Sequence, residues 1–397
     1  MLLKVINQNS KLFSLASFGL ILLSILQVAK STIAEINNNE FLDINPWAFS
    51  DLLINYQGGF VRRGLIGEIV FYLDSDGILF DTVYKIIFFN FCIFVILILL
   101  NLKILNLNTF QKFLFHISIF GVFNMSLFGN YFARKEIFVI NLFLILVIIY
   151  KKFSKQIFIY TAHLFSLLAI LIHEGIGFFL FYPFVTYLFS KIKNSNKFKY
   201  SFRITNLSIF LLIFFFKGNN SIALHIINSL SADDRYLIKN LDQNAITALG
   251  WGINEVFNSI YIVLFSGSVV LWIVFFLAIP ISISIVLGIS FYDLVNKCKK
   301  IIYSNYEFLL VPLLFILGWD WGRWILTIFY FLFFVFFLEI DNHQPKNTQS
   351  LIVVLFTIIS FLTSMPPCCL EMGSTKVSSN IYRIYKSFEI TIMSLMN

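Results

Sequence analysis

Tyr84 to Leu102 reads YKIIFFNFCIFVILILLNL, a run whose one charge, Lys85, stands at its start. Apolar residues follow one another without the strict alternation that marks a barrel strand. The run is close to the ~20 residues that carry a helix through ~30 Å of hydrocarbon. In that solvent only helices and closed barrels satisfy the backbone. The stretch therefore predicts a membrane-spanning helix.

Outward from it the pattern repeats. Comparable runs occupy Leu12–Ala29 and about 113–129, 137–150, 157–172, 175–190, 204–216, 260–290, 306–318, 324–339 and 350–364. With 84–102 they predict about eleven spans, ten to thirteen being compatible with the pattern. Asn258 to Ser290 is too long for one upright helix, so Pro280 kinks it or a re-entrant piece precedes it. The chain is 59% hydrophobic, 18% aromatic and only 13% charged, and a soluble core cannot hide its 50 phenylalanines. The expected fold is all-α and polytopic, one membrane domain over residues 1–397. It carries a long outer loop at 30–83, a late outer loop at 217–257 and a tail at 365–397. Cys92, Cys298, Cys368 and Cys369 have no zinc-site or thioredoxin-like spacing.

The formal charge of +8 is unevenly placed, and the placement orients the chain. With the N-terminus in the cytoplasm, inner segments hold sixteen basic residues against three acids, Asp293, Glu339 and Asp341. Outer loops before the tail hold nine basic residues and fifteen acids. This explains the basic balance without nucleic acid. It also puts nearly every concentrated polar motif on the outer side, while inner loops hold scattered lysines.

The densest motif is Asp51 to Glu68, DLLINYQGGFVRRGLIGE, with four glycines around Arg62 and Arg63. Paired arginines suit bidentate contact with phosphate. The bland alternative is an interfacial amphipathic helix over Gly64–Leu73 with snorkelling arginines. His173–Glu174 lies midway in Ile157–Ser190, which as one helix would be about 51 Å long, too long for the bilayer. The chain must turn there, and an ionisable pair at such a turn suggests work beyond turning. Gly177 stands where a zinc-binding HExxH would need its second histidine. Arg134 and Lys135 open a helix against its macrodipole and so want an anion: Glu136, an outer acid or a substrate phosphate. In GWDWGRWI, Gly318 to Ile325, Trp319 and Trp321 can stack on sugar rings while Asp320 and Arg323 bind hydroxyls or phosphate. An aromatic belt and a simple i, i+3 pair are the plain alternatives. The late loop, with Asp233–Asp234–Arg235, has the size of a lid.

The Asp51 segment, His173–Glu174, Asp320–Arg323 and the aromatic-rich helices resemble the GT-C type of membrane glycosyltransferase. Within that set they are similar to the Wzy-type polymerases of bacterial O-antigen and capsule synthesis. The resemblance implies a multi-pass protein of the bacterial cytoplasmic membrane acting on polyprenyl-pyrophosphate-linked saccharides at its outer face, among membrane lipids and polysaccharide-assembly partners. Asp51 is then the expected base, with Glu174 the second candidate and Asp320 the third. Arg62, Arg63, Arg134, Lys135, His173, Arg323, Tyr56, Trp319, Trp321 and Arg235 are the expected substrate contacts. No cofactor or metal ligand is expected, and metal dependence stays open. The competing classes are a flippase or transporter of lipid-linked saccharide, and an acyltransferase using His173 as base. The chain has no internal repeat, which many transporters carry.

Overall fold

The computed structural model describes residues 10–38, 46–74, 79–128, 131–193, 196–239, 244–252, 268–317 and 321–339, with isolated positions from 254 to 261. All regular structure among them is helical. Helix α1 (Ser10–Asn38) is followed by two short helices of the first loop, α2 (Pro46–Leu52) and α3 (Gly64–Leu73), and then by α4 (Leu79–Ile104). Next come α5 (Thr109–Ile117), α6 (Val122–Phe128), α7 (Glu136–Lys152) and α8 (Lys155–Ile172). A turn at Glu174–Ile176 and a π-helical segment, Gly177–Phe181, lead into α9 (Tyr182–Ser190) and α10 (Asn196–Phe215). The late loop carries α11 (Asn220–Ser229) and α12 (Ala232–Lys239). The chain continues through α13 (Ser268–Leu287), α14 (Phe291–Ser304), α15 (Leu310–Leu317) and α16 (Trp321–Glu339).

Five of these helices, α1, α4, α8, α10 and α16, are long and apolar enough to cross a membrane. Helices α13 and α14 add a sixth if they form one span, bent by 116° at Gly288–Ser290. Other expected spans are present as shorter helices: 137–150 falls in the 17-residue α7, and 306–318 in a helical turn followed by α15. The run 113–129 is broken, contrary to expectation. Asn124 Nδ2 donates to the carbonyls of Ile117 and Ser118, 3.0 and 2.7 Å away, so a side chain satisfies groups that a continuous helix would bond internally. The run 350–364 and the 365–397 tail lie outside the described residues.

The core is built around α16, which is buried almost throughout from Gly322 to Phe336. Its phenylalanines interleave with those of its neighbours: Phe331 packs on Phe143 of α7 at 4.1 Å and Phe333 on Phe115 of α5 at 4.7 Å between ring centroids. Some polar residues inside this apolar mass pair across helices. Asn141 Nδ2 donates to Asn90 Oδ1 at 2.8 Å, and Asn101 Nδ2 to the Leu144 carbonyl at 3.2 Å, so α4 and α7 are joined by two amide contacts. Helix α1 instead exposes Leu12, Leu15, Phe18, Leu22, Leu23 and Leu26, a face suited to lipid rather than water.

Candidate active site

The first loop is a folded unit. After α2 the chain turns, and α3 returns across it so closely that a Cβ on Gly67 would stand 2.0 Å from the Ile54 carbonyl oxygen. Only glycine admits that approach. Glu68 completes the fold by accepting from the Tyr56 backbone N–H at 2.7 Å and from Gln57 Nε2 at 3.1 Å. The interfacial-helix alternative at Gly64–Leu73 is thus met in part: the helix exists, but Gly64, Ile66, Gly67 and Val70 are buried. Arg63 precedes it at φ 64°, ψ 8°, the left-handed region that costs a side-chain-bearing residue roughly 1 kcal/mol.

The late loop packs onto this unit. The Arg62 N–H donates to the Phe216 carbonyl at 3.0 Å, the Ala245 N–H to Ser50 Oγ at 2.9 Å, and Trp47 meets Trp251 at 5.7 Å. On the far side α8 ends at His173, and the π-helical segment packs back against it. Gly177 permits this, since a Cβ there would lie 2.5 Å from the Ile170 nitrogen.

These turns bring four remote segments together. Glu174 receives Arg63 Nε on both carboxylate oxygens, at 3.1 and 3.0 Å, and Arg62 Nη1 at 3.5 Å. Lys135 Nζ donates to the Arg63 carbonyl at 2.7 Å and stands 3.5 Å from Asp51 Oδ1. Glu136 Oε1 lies 3.0 Å from Arg323 Nη1 and 3.5 Å from His173 Nε2. His173 Nδ1 accepts the Ile176 N–H at 3.4 Å, which leaves its Nε2 as the proton-bearing nitrogen facing Glu136. Arg134 is buried immediately before Lys135. The site has depth: the side chains of Arg62, Arg63 and Glu174 are 32, 23 and 13% exposed, whereas those of Lys135, Glu136, His173 and Arg323 are closed off.

Electrostatics follow from that depth. Burial alone would raise Asp51, but Lys135, then Arg63, His173 and Arg323, hold its carboxyl below the usual range. Burial likewise works against charge on Glu174, yet Arg63 and Arg62 bring it far down. Burial pushes Lys135 downward against the pull of Asp51. His173 is lowered by burial and by Arg63, so it is neutral at pH 7. Burial and Glu68 push the Tyr56 phenol up to about 12, which keeps it a donor. Among the described residues the cluster holds four cations, Arg62, Arg63, Lys135 and Arg323, against three carboxylates, Asp51, Glu136 and Glu174. It is chemically suited to take an anion.

Of the expected site residues, Asp51, Arg62, Arg63, Lys135, His173, Glu174 and Arg323 stand in this network. Tyr56 flanks it, its ring stacked on Phe60 at 5.2 Å. Arg235 is engaged elsewhere, donating to the Asn228 and Leu230 carbonyls at 2.9 and 3.0 Å. The Trp321 indole N–H bonds the Phe315 carbonyl at 3.1 Å and its ring meets Phe315 edge-on, so it ties α15 to α16. Trp319 and Asp320 lie outside the described residues. Two residues carry more of the site than the sequence suggested: Glu136, which joins Arg323 to His173, and Glu68, which holds the first loop closed. Glu68 sits twelve residues after the backbone it binds, and only its place at the end of the glycine-rich motif could have flagged it. Compared with protein-family models, curated proteins and solved structures, the chain matches none of them.

Proposed function

We propose that this chain is a GT-C-like membrane glycosyltransferase that uses polyprenyl-pyrophosphate-linked saccharides at the outer face of the bacterial cytoplasmic membrane, in surface polysaccharide synthesis. A layout of about eleven spans with the N-terminus inside belongs to the same reading. The observation that supports it most is the convergence of Arg62, Arg63, Lys135 and Arg323, from three separate parts of the chain, with three carboxylates among the described residues. Arg62 and Arg63 reach the part-exposed rim of this cluster, and arginine forks match phosphate oxygens.

The exposed rim suggests the order of events. An incoming pyrophosphate competes with Glu174 for Arg62 and Arg63. The carboxylate so released takes the proton of the acceptor hydroxyl as that oxygen attacks the anomeric carbon. The bond from the anomeric carbon to pyrophosphate oxygen breaks, and the departing lipid pyrophosphate keeps its electron pair between the two guanidinium groups. Asp51 lies deeper, against Lys135, which in turn holds the Arg63 backbone. In this reading Asp51 positions the clamp through Lys135, and Glu174 is the base.

The experiment is surface-glycan profiling of a strain lacking the gene, complemented with wild type, Glu174→Gln, Arg63→Ala or Asp51→Asn, with membrane insertion checked in parallel. Loss of long chains in all three variants, with normal insertion, is expected. Normal chain length in Glu174→Gln and Arg63→Ala would remove the proposal. Loss of an acyl substituent alone would assign an acyltransferase, and repeat units trapped on the inner leaflet a flippase.

A further inference from the structure

The end of the bundle opposite the arginine cluster contains a cavity of about 330 Å³ between α7, α9, α14 and α16. Tyr150, Tyr187, Lys191, Lys297, Lys300 and Glu339 give it its polar wall. We propose that this cavity binds the phosphate of an anionic phospholipid headgroup. The inference is independent of the chemistry at the other end.

The charge balance comes first. Among the described residues three lysines meet one carboxylate, and that carboxylate is already occupied, because Glu339 takes both the Lys191 ammonium and the Tyr187 hydroxyl. Lys191 also lies over the Tyr187 ring, 4.8 Å from its centroid. Lys297 and Lys300 stand one turn apart on α14, and neither has an ion-pair partner among the described residues. A cavity with two ammonium groups that lack an ion-pair partner and the Tyr150 hydroxyl at its wall is a phosphate receptor by composition.

The helix that supplies those lysines narrows the source of the phosphate. Helix α14 leaves α13 at 116°, so it turns away from the direction of that helix. Leu294 and Ile301 are buried against the protein, while Phe291, Tyr292, Ile302 and Tyr303 are exposed. Asp293, Asn296 and Lys300 are exposed on its polar side. An exposed apolar and aromatic face beside a lysine-bearing one is the pattern of a helix lying in the headgroup layer, where anionic lipid is drawn to lysine. Soluble phosphate could use the cavity but would have no use for the aromatic face. A phospholipid uses both, its phosphate in the cavity and its acyl chains along Phe291, Tyr292 and Tyr303.

The test uses the full-length protein in neutral detergent, followed by thermal unfolding and native mass spectrometry. The probes are dioctanoyl-phosphatidylglycerol, dioctanoyl-phosphatidylcholine and inorganic phosphate. Phosphatidylglycerol should bind saturably and raise the melting temperature, and phosphatidylcholine should not. The double change Lys297→Gln with Lys300→Gln should weaken phosphatidylglycerol about thirtyfold. Lys299→Gln, on the same helix but outside the cavity wall, should leave it unchanged. If the double variant does not fold, Lys300→Gln alone should still weaken binding about fivefold. Equal binding by phosphatidylcholine, or undiminished binding in the lysine variants, overturns the proposal. Inorganic phosphate binding as tightly as the lipid also overturns it, by making the cavity a site for free phosphate.

Discussion

Arg323 and Glu339 are sixteen residues apart on α16, about 24 Å along the helix axis. They belong to two kinds of charged site. At the first turn Arg323 meets Glu136 with both side chains closed off from solvent, and Lys135, Asp51 and His173 are equally enclosed nearby. At the last turn Glu339 meets Lys191 with side chains 19 and 38% exposed, and the cations around it are all lysine. At the lysine-rich end the cations are ones that water reaches and that another cation could replace. The arginine end differs. Burying charges this deeply is costly unless they pair closely, and here they do.

That contrast is broken or sharpened most strongly by removing one partner at each end. Glu136→Gln leaves Arg323 facing a neutral amide inside the fold and should cost about 3–5 kcal/mol. Combining it with Arg323→Met, which removes the stranded charge, should recover part of the loss. Lys191→Ala at the other end should cost less than about 1 kcal/mol, because its pair is shallow and screened. Thermal unfolding of the purified variants in detergent measures all three. Equal losses at the two ends would mean that depth does not distinguish them.

The second comparison is between backbone and charge as the origin of the cluster's geometry. Gly67→Ala changes no charge, yet its Cβ would stand 2.0 Å from the Ile54 carbonyl, so α3 must move off the first loop. A destabilisation of about 1–3 kcal/mol is expected, with Arg63 displaced from Glu174. Gly59→Ala meets no neighbouring atom, although its φ of 107° strains the substitution, and it should disturb the arginines far less. Proteolytic nicking between Gln57 and Arg63 would report the loosening. If Gly67→Ala is silent, Glu68 alone holds the loop.

How much of this could be read from the chain follows from the signals involved. The helices, and the break at His173, show in hydropathy because a long apolar run interrupted by two ionisable residues has one physical solution in a bilayer. The convergence of Asp51, Arg62–Arg63, Lys135, His173–Glu174 and Arg323 was legible in outline, since charges that are sparse in so apolar a chain have few places to go. The break between α5 and α6 was not legible: it depends on the Asn124 amide reaching back to Ile117 and Ser118, and hydropathy does not see one amide. Glu136 was read only as a candidate counter-ion for Arg134 and Lys135, not as a site residue. An acid in the first turn of a helix already has a sufficient explanation in the macrodipole, and only the fold shows Arg323 and His173 arriving at it. Arg235 misled in the opposite direction, because beside Asp233–Asp234 it reads as a motif, whereas in the fold it closes the end of α11.

Acid should separate the two ends last and least. Burial and Arg63 lower His173 in the folded protein, so the unfolded chain takes up a proton near the ordinary histidine value while the folded one resists. Stability should therefore begin to fall below about pH 6.5 and level off once the folded histidine also titrates. Asp51 and Glu174, both lowered, add a second decline: their stabilisation is fully present above the ordinary carboxylate range and is lost as pH drops through it towards their folded values. His173→Gln should flatten the first decline and leave the second. Glu174→Gln should reduce the second and leave the first. Melting temperatures from pH 8 to pH 4 distinguish the two stages. A first decline that survives His173→Gln would place the titrating group outside the arginine cluster, and acid would then no longer report on that end of α16.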